Sequence, residues 1–408
     1  MENRYDKYKD SGIAWIGEIP EHWELRKGKN LFKLRNSKGN NNAILLAATQ
    51  KYGMIPQSQV EGVVQVKQNT DLNTFKTVHK NDYVISLRSF QGGFEMSEYE
   101  GVCSPAYQVF YSTKPCCNYF FKYMFKSYGF VSQINAFTLG IREGKNIQYE
   151  DFSLMKLPLP TIQEQQSIAT YLDQKCSEID ELITLQEEMI TKLQSYKQSV
   201  ITEAVTKGLN KNVPLKDSGI EWIGEIPEHW KIVCLKHLSR ISTGNQDTQD
   251  SIPDGKYPFF VRSPKVERSN RYTFEGPSIL MAGDGVGAGK VFHLADNKFA
   301  CHQRVYCINQ FSKINRIFLF YYLSSLFYNI IDSANSKSTV DSVRLPMLAE
   351  FPVCIPLDLE QQSIADFLDQ KCSEIDELIS IKQQKIEKLK DYKKSLIFEC
   401  VTGKRKVS

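Results

Sequence analysis

Polar loops in both halves of the chain carry side chains that can read nucleic-acid bases. Arginine can donate two hydrogen bonds to guanine, and glutamine can pair with adenine in a similar bidentate way. "SLRSFQGG" (86–93) sets such residues around a glycine turn, and "GIREGKNIQYED" (140–151) follows an aromatic stretch. The candidate DNA-contacting residues are Arg88, Ser89, Gln91, Arg142, Lys145, Asn146 and Gln148 in the first half, and Arg262, Lys265, Gln303, Arg304, Asn335, Lys337 and Thr339 in the second. Any one of these loops could be an ordinary solvated surface, but matching loops in both halves favour binding.

The glycine-rich segment "GDGVGAGKV" (283–291) invites comparison with a phosphate-binding loop. That loop would need glycine in place of Asp284 and serine or threonine in place of Val291. The segment also lacks the strand, turn and helix with an acidic partner that a methyl-donor site of the dinucleotide type requires. It therefore predicts a tight turn between two strands.

Metal binding and catalysis find little support in the remaining reactive residues. His22 and His229 have no cysteine or second histidine nearby, which favours a packed structural histidine over a metal ligand. None of the ten cysteines belongs to a CxxC pair, as is typical of free thiols in a reducing cytoplasm. We find no paired carboxylates, nucleophile–base pair or metal cluster supported by both halves, and we expect a chain that is not an enzyme by itself and holds no metal or cofactor.

The segments that must position these loops occur in the sequence as two nearly identical copies. "SGIAWIGEIPEHW" (11–23) returns as "SGIEWIGEIPEHW" (218–230), with twelve of thirteen positions matching. "EQQSIATYLDQKCSEIDELI" (164–183) returns as "EQQSIADFLDQKCSEIDELI" (360–379), an offset of 196 residues. Between these blocks, only the order of strand-like run, glycine-rich turn and strand-like run survives. The pattern indicates an internal duplication that kept its scaffold and diversified two heads, at roughly 15–157 and 222–350.

The repeated opening segment has an apolar side that we expect to pack against the scaffold or a partner. Trp15, Ile19 and Trp23 form this side in the first copy, and Trp222, Ile226 and Trp230 form it in the second. The one mismatch, Ala14 against Glu221, predicts an exposed position.

The second repeated block begins a long helix of ~45 residues in each half. Apolar residues recur at alternating spacings of three and four, as in a coiled-coil seam. The predicted seam comprises Leu172, Ile179, Ile183, Leu193, Leu368, Ile375, Ile379 and Leu389, and a companion row runs through Leu182, Met189 and Tyr196. The offset of 196 residues is 28 heptads, so equivalent residues share one phase. If the two long helices ran parallel, the second head would have to carry the chain back along their whole length, and it is too small for that. The sequence therefore favours antiparallel helices.

The chain therefore predicts an α+β protein in which two mixed heads are joined by two long antiparallel helices with pseudo-two-fold duplication. Its predicted parts are a first head (1–157), a first spacer helix (158–210), a second head (211–351) and a second spacer helix (352–408). "GVVQVKQ", "DYVISL" and "AYQVFY" predict strands, and residues 116–137 and 313–332 predict a helical stretch in each head.

The size and charge of the chain suit this organisation. It has 408 residues, 41% of them hydrophobic, and a net charge of +4, which permits a polyanionic partner without demanding one. The polar start "MENRYDKYKD" lacks the apolar stretch of a signal peptide, and no run approaches the ~18 apolar residues of a membrane span. We expect a soluble, cytoplasmic protein.

With these motifs, the chain resembles the specificity (S) subunit of type I restriction-modification systems, the HsdS family, over nearly its whole length. The resemblance rests on the two "DSGI.WIGEIPEHW" openings, on "LPLPTIQEQQSIATYLDQKCSEID" and "IPLDLEQQSIADFLDQKCSEID", and on the ending "ECVTGK". The first helix ends in "EAVTKG" instead.

The resemblance implies two target-recognition domains that each read half of a bipartite, asymmetric site in double-stranded DNA. It implies two methyltransferase (M) subunits that use S-adenosylmethionine to methylate adenine N6. It also implies restriction (R) subunits that use ATP and Mg²⁺ for translocation and cleavage. The S chain itself would be non-catalytic and would dock partners through its helices. An adaptor whose heads bind proteins, or a nuclease hidden in one head, is the alternative.

Overall fold

The computed structural model describes residues 4–39, 41–50, 52–60, 71–86, 93–136, 147–334 and 342–407. It contains two compact units, Met1–Gln186 with Gln384–Ser408, and Glu187–Gln383. Each unit holds one diversified head and a part of each long helix. The finer division into heads and spacer helices stays a prediction.

Both halves of the chain have the same order of elements, in which a run of strands is followed by three short helices, one more strand and a long helix. The helices are α1 Asn118–Lys126, α2 Tyr128–Ala136, α3 Tyr149–Leu154, α4 Ile162–Lys207, α5 Arg316–Leu326, α6 Tyr328–Ala334, α7 Leu345–Ala349 and α8 Asp358–Val401. The strands of the first unit are β1 Tyr8–Asp10, β2 Glu18–Pro20, β3 Glu24–Lys27, β4 Phe32–Arg35, β5 Leu46–Thr49, β6 Gly53–Pro56, β7 Lys76–Val78, β8 Tyr83–Ile85, β9 Phe94–Met96, β10 Gly101–Cys103, β11 Gln108–Ser112 and β12 Lys156–Leu159. The strands of the second unit are β13 Leu215–Asp217, β14 Glu225–Pro227, β15 Lys231–Cys234, β16 Arg240–Thr243, β17 Tyr257–Phe260, β18 Glu267–Ser269, β19 Ser278–Ala282, β20 Phe292–Ala295, β21 Ala300–Cys301, β22 Val305–Asn309 and β23 Pro352–Ile355.

Both heads are built on the same four-stranded antiparallel sheet. Its order is β4-β11-β8-β9 in the first head and β16-β22-β19-β20 in the second. One face of each sheet packs against helices through aromatic and aliphatic side chains. Tyr83 of β8 packs against α1 in the first head, and Ile279 of β19 packs against α5 in the second. This shared face explains why two dissimilar sequences keep one framework.

The other face of each sheet carries a different cover. In the first head, the pairs β5–β6 and β7–β10 lie over Val84 and Val109. In the second head, a three-stranded sheet of order β18-β17-β21 supplies Phe260 and Cys301 to a cluster with Leu280 and Cys307. The diversified part of each head is therefore this outer layer.

The strand and helix predictions for the heads hold in part. "DYVISL" and "AYQVFY" contain β8 and β11, whereas "GVVQVKQ" at 62–68 lies outside the described residues. The helical stretch predicted in each head is present as two helices, interrupted at Ser127 and at Phe327. At the first break Ser127 is extended (ψ 139°), and Gly129 packs so tightly that a Cβ there would lie 2.6 Å from the Trp15 ring. The pattern of apolar residues did not predict these breaks.

The two long helices match the predicted length, with 46 residues in α4 and 44 in α8. In the first unit, Lys393 donates to Asp180 at 2.6–2.7 Å. In the second unit, Lys197 donates to Asp376 at 2.7 Å, and a Cβ at Gly208 would lie 3.0 Å from Glu360. Since the end of α4 meets the start of α8, the helices pair antiparallel, as predicted.

The predicted seam positions differ in burial along the helices. Leu172, Ile179, Leu368 and Ile375 are buried, whereas Ile183, Leu193, Ile379 and Leu389 are half-buried. The companion row is different, because Leu182, Met189 and Tyr196 are exposed. Those three residues do not belong to a buried seam, since an antiparallel pair covers only one stripe of each helix.

Each opening segment is a β-hairpin, β1–β2 or β13–β14, that packs on the ends of the long helices. Trp23 is fully buried in a cluster with Leu396 and Val401, and Trp230 is buried with Ile201 and Val205. Ala14 and Glu221 are exposed, as predicted. The hairpins therefore pack against the scaffold.

A glutamate at the start of each long helix accepts hydrogen bonds from the opening segment. Glu164 Oε1 lies 2.9 Å from His22 Nε2 and accepts from Trp23 Nε1 at 3.2 Å. Glu360 repeats this with His229 at 2.8 Å and Trp230 at 3.2 Å. The histidine side chains are 49% and 39% exposed, so the expectation of packed histidines is wrong. Each histidine instead lies at the surface beside its glutamate. We call this contact of the histidine and tryptophan of the hairpin with the glutamate of the long helix the clamp.

The glutamine that follows each glutamate fixes the first helix of the head. The Gln165 side chain accepts from the Cys117 N–H at 2.9 Å and donates to the Pro160 carbonyl. Gln361 does the same with Asn315 and Pro356. Both glutamines are buried, which explains why the "EQQS" block repeats without change.

Candidate nucleic-acid interface

The turn between β21 and β22 presents Gln303 and Arg304 at its tip. The Val305 N–H donates to the His302 carbonyl at 2.9 Å, which places both residues in the centre of a four-residue turn. The His302 ring is 2% exposed, and its Nδ1 accepts from the Arg304 N–H at 2.9 Å. Because Nδ1 accepts this bond, the neutral ring carries its proton on Nε2. The buried His302 ring therefore binds the backbone of a turn whose tip residues, Gln303 and Arg304, are exposed.

Asp247 contacts the same turn through both of its carboxylate oxygens. Its Oδ1 lies 3.3 Å from His302 Nε2, and its Oδ2 accepts from the Gln303 amide at 3.1 Å. A hydrogen bond from the Thr248 N–H holds the pKa of Asp247 below its usual value, and His302 lowers it further. The carboxylate is therefore charged at neutral pH.

Two arginines share the carboxylate of Asp284 beside this turn. Arg262 Nη1 donates to Oδ1 at 3.1 Å, and Arg304 Nε lies 3.6 Å from Oδ2. Both arginine side chains are largely exposed, at 45% and 64%, whereas that of Asp284 is 22% exposed. The two guanidinium groups together have more N–H donors than the one carboxylate accepts, and both side chains are exposed.

The glycine-rich segment 283–291 connects β19 to β20, as its pattern predicted. The Gly283 N–H donates to the Arg304 carbonyl at 2.8 Å, and the Gly283 carbonyl accepts from Val343 at 2.8 Å. A Cβ at Gly283 would lie 3.0 Å from both the Arg304 carbonyl and the Tyr306 ring. Glycine is therefore needed to bring Asp284 against the turn.

This arrangement suits recognition of a polyanion. Guanidinium groups pair with phosphate oxygens or with the O6 and N7 acceptors of guanine.

Among the residues the structure describes, no group of three or more histidine, cysteine, aspartate or glutamate side chains could hold a metal ion.

Comparisons with known proteins identify the family of this chain. The family model for the type I restriction modification DNA specificity domain matches residues 20–194 and 227–391. These two matches cover most of the chain and coincide with the internal duplication. The chain belongs to this family.

Curated members of the specificity-domain family align with the chain at modest identity. The putative type I restriction enzyme MjaX specificity subunit of Methanocaldococcus jannaschii is 25% identical and covers 96% of both chains. The EcoDI specificity subunit of Escherichia coli is 28% identical over 44% of this chain and 39% of that subunit.

Solved structures of type I systems share the fold of this specificity-domain protein. A chain from a structure that describes complex assembly and conformational transition of the type I R-M system aligns with a TM-score of 0.71 at 15% identity, over 94% of this chain and 98% of that one. The HsdS subunit of Thermoanaerobacter tengcongensis aligns with a TM-score of 0.53 at 15% identity and the same coverage.

The structure brings three of the predicted DNA-contacting residues of this specificity-domain protein together, namely Arg262, Gln303 and Arg304. Lys265 is exposed in the same head and lies outside this turn. Gln148 lies at the start of α3, where its side chain pairs with Gln108. The remaining candidates, Arg88, Ser89, Gln91, Arg142, Lys145, Asn146, Asn335, Lys337 and Thr339, lie outside the described residues.

Sequence reasoning missed the carboxylates that hold these side chains. Asp284 drew attention only as a mismatch to a phosphate-binding loop, and Asp247 drew none. A capping box does mark Asp247, because Asp250 follows three residues later and both side chains bond the backbone. Nothing local in the sequence links Asp284 to Arg262 or Arg304.

The long helices of the specificity-domain protein carry exposed apolar side chains in matching positions. These are Leu182, Leu185, Met189 and Tyr196 on α4, and Leu378, Ile381 and Tyr392 on α8. Three pairs are related by the offset of 196, with Leu182 matching Leu378, Leu185 matching Ile381 and Tyr196 matching Tyr392. We call these seven residues the exposed stripe. Within the described ranges, no helix is long and apolar enough to cross a membrane.

Proposed function

We propose that this protein is the sequence-specific DNA-binding subunit of a type I restriction-modification complex. Each head reads one half of a bipartite, asymmetric site, and the chain performs no catalysis itself. The exposed arginine pair on Asp284 carries the proposal, because it lies on the diversified side of a head in a chain of the specificity-domain family. Its charge and donor geometry fit double-stranded DNA.

The long helices set the gap between the two half-sites and dock the methyltransferase subunits. Support comes from the exposed stripe, which repeats on α4 and α8 and leaves large apolar side chains uncovered. Surfaces of this kind mark protein interfaces. Two equivalent copies suit two M subunits.

The catalytic cofactors belong to the partners in this proposal. M subunits would supply S-adenosylmethionine-dependent methylation of adenine N6, and R subunits would supply ATP- and Mg²⁺-dependent translocation and cleavage. The complex would act in the cytoplasm, and the heads and spacers would be 1–157, 158–210, 211–351 and 352–408.

Selection of random duplexes by the purified complex with M subunits tests this function. We expect enrichment of two short motifs separated by a fixed gap of unspecified sequence. Binding without sequence preference would reject DNA specificity and favour an adaptor for other proteins.

A further inference from the structure

The backbone of Arg304 is fixed on both sides before any ligand binds. Its N–H donates to His302 Nδ1 at 2.9 Å, and its carbonyl accepts from the Gly283 N–H at 2.8 Å. The only freedom left to Arg304 is in its side chain. Fixing a recognition side chain in advance lowers the entropy lost on binding.

Asp284 forms an ion pair with that side chain. Its Oδ2 lies 3.6 Å from Nε of Arg304, so the contact is made on the Nε side of the guanidinium and leaves Nη1 and Nη2 available. Arg262 differs, because it already donates Nη1 to Asp284 at 3.1 Å and its side chain is less exposed. Of the two arginines, Arg304 presents the more complete pair of donors.

Gln303 is held by Asp247 at the same tip. One N–H of its amide donates to Asp247 at 3.1 Å, which leaves the other N–H and the side-chain carbonyl available. To read a base, the Gln303 amide would have to keep or break its contact with Asp247.

We propose that Arg304 is a specificity-determining residue of the second head that reads a guanine, and that Asp284 is the residue that positions it. Two parallel N–H groups of a guanidinium match the O6 and N7 acceptors of guanine in the major groove. Asp284 draws Nε of Arg304 toward itself, and the pair Nη1 and Nη2 is then the part of the guanidinium left for the base. This inference rests on the proposed function and names one base in the half-site of the second head.

The test uses the complex with M subunits and the split motif selected by the wild-type protein. Each guanine in that motif is replaced in turn by 7-deazaguanine, which lacks the N7 acceptor, and Kd is measured. We expect one guanine, in one half-site, at which the replacement weakens wild-type binding about tenfold. In Arg304→Met, whose side chain has no N–H donor, the same replacement has little further effect, and in Asp284→Asn its effect is reduced.

Arg240→Met serves as the matched control. Arg240 is exposed and pairs with Asn309 at the end of β22 remote from the turn, and we expect this variant to keep the wild-type response. The assignment is overturned if Arg304→Met responds to every 7-deazaguanine as the wild type does. It is also overturned if Arg304→Met weakens binding equally for all duplexes, as loss of a phosphate contact would. If the wild-type complex selects no split motif, the proposed function itself fails.

Discussion

Glu164 joins three groups at the first turn of α4. It accepts hydrogen bonds from Trp23 and Thr161 and lies against His22. Burial alone would raise the pKa of Glu164, but the hydrogen bonds from His22, Thr161 and Trp23 together lower it. The carboxylate is therefore charged in the folded protein and caps the helix while it holds the hairpin.

Replacing Glu164 tests the clamp. We expect Glu164→Ala to lower the free energy of unfolding of the first unit by about 1–3 kcal/mol, because a helix cap and an acceptor for a buried indole are lost. Hydrogen exchange of amides in β1, β2 and the start of α4 measures this. Glu181→Ala, an exposed change on the same helix, is the control; equal exchange in the two variants would contradict the clamp.

Glu95 gives a second prediction at this scale, on pH. Its side chain is 2% exposed and hydrogen-bonded by Lys126, yet burial raises its pKa from the ordinary 4.5 to about 7, and Lys126 opposes this only in part. The folded state binds this proton more tightly than the unfolded state does. The contribution of Glu95 to stability is therefore greatest below pH 4.5 and declines as pH rises to about 7.

Glu95→Gln removes that titration. Relative to the wild type, we expect the variant to become more stable between pH 5 and pH 8 by on the order of 2 kcal/mol. Denaturant unfolding at the two pH values measures the change. A constant difference between the proteins would show that Glu95 does not titrate in this range.

The single residues also show where sequence reading stops. The arginines of the second head could be proposed from their type and their place beside turns. Their partners could not, because Asp284 lies about twenty residues from each of them along the chain and meets them only through β17, β19 and the turn before β22.

At the scale of elements, the long helices were the most predictable part of the molecule. Heptad spacing predicted their lengths, and Gly208 ends α4 with a φ of +73°. Periodicity could not decide which apolar row lies in the pair and which faces outward. The structure decides this. On each helix the seam residues are buried or half-buried, whereas the residues of the exposed stripe are exposed.

The exposed stripe predicts how partners bind. We expect Leu185→Asp with Ile381→Asp to abolish capture of M subunits, because a charge in an apolar interface remains unpaired. Size-exclusion chromatography of the mixed subunits measures binding, and circular dichroism checks that helix content is unchanged. Thr191→Asp, on the opposite face of α4, should bind as the wild type does. Unimpaired capture by the double variant would exclude the stripe as the docking surface.

The lengths of the helices predict the gap. Removing one heptad from each helix, residues 186–192 and 382–388, keeps the phase and shortens the pair by about 10 Å. That distance is about three base pairs of duplex. We expect a selected motif with unchanged half-sites and a correspondingly shorter gap. Altered half-sites with an unchanged gap would contradict the role of the helices as spacers.

At the scale of the whole molecule, the duplication explains what could be predicted and what could not. Identical blocks correspond to the hairpins, the clamps and the long helices, whose contacts are the same in each unit. The heads share a sheet that their sequences barely reveal, since β8 and β19 are buried along their whole length and different apolar residues can fill the same positions. Their outer layers differ because each pairs its strands in its own way, including the parallel pair β17–β21 in the second head.

The most direct test of the account is the DNA methylation pattern of a host with and without this gene, in the presence of its M subunit. We predict adenine methylation at a split motif that appears only with the gene. Exchange of residues 15–157 for another head should change one half of that motif and leave the other half intact. An unchanged methylation pattern, or an exchange that alters both halves, would contradict the account.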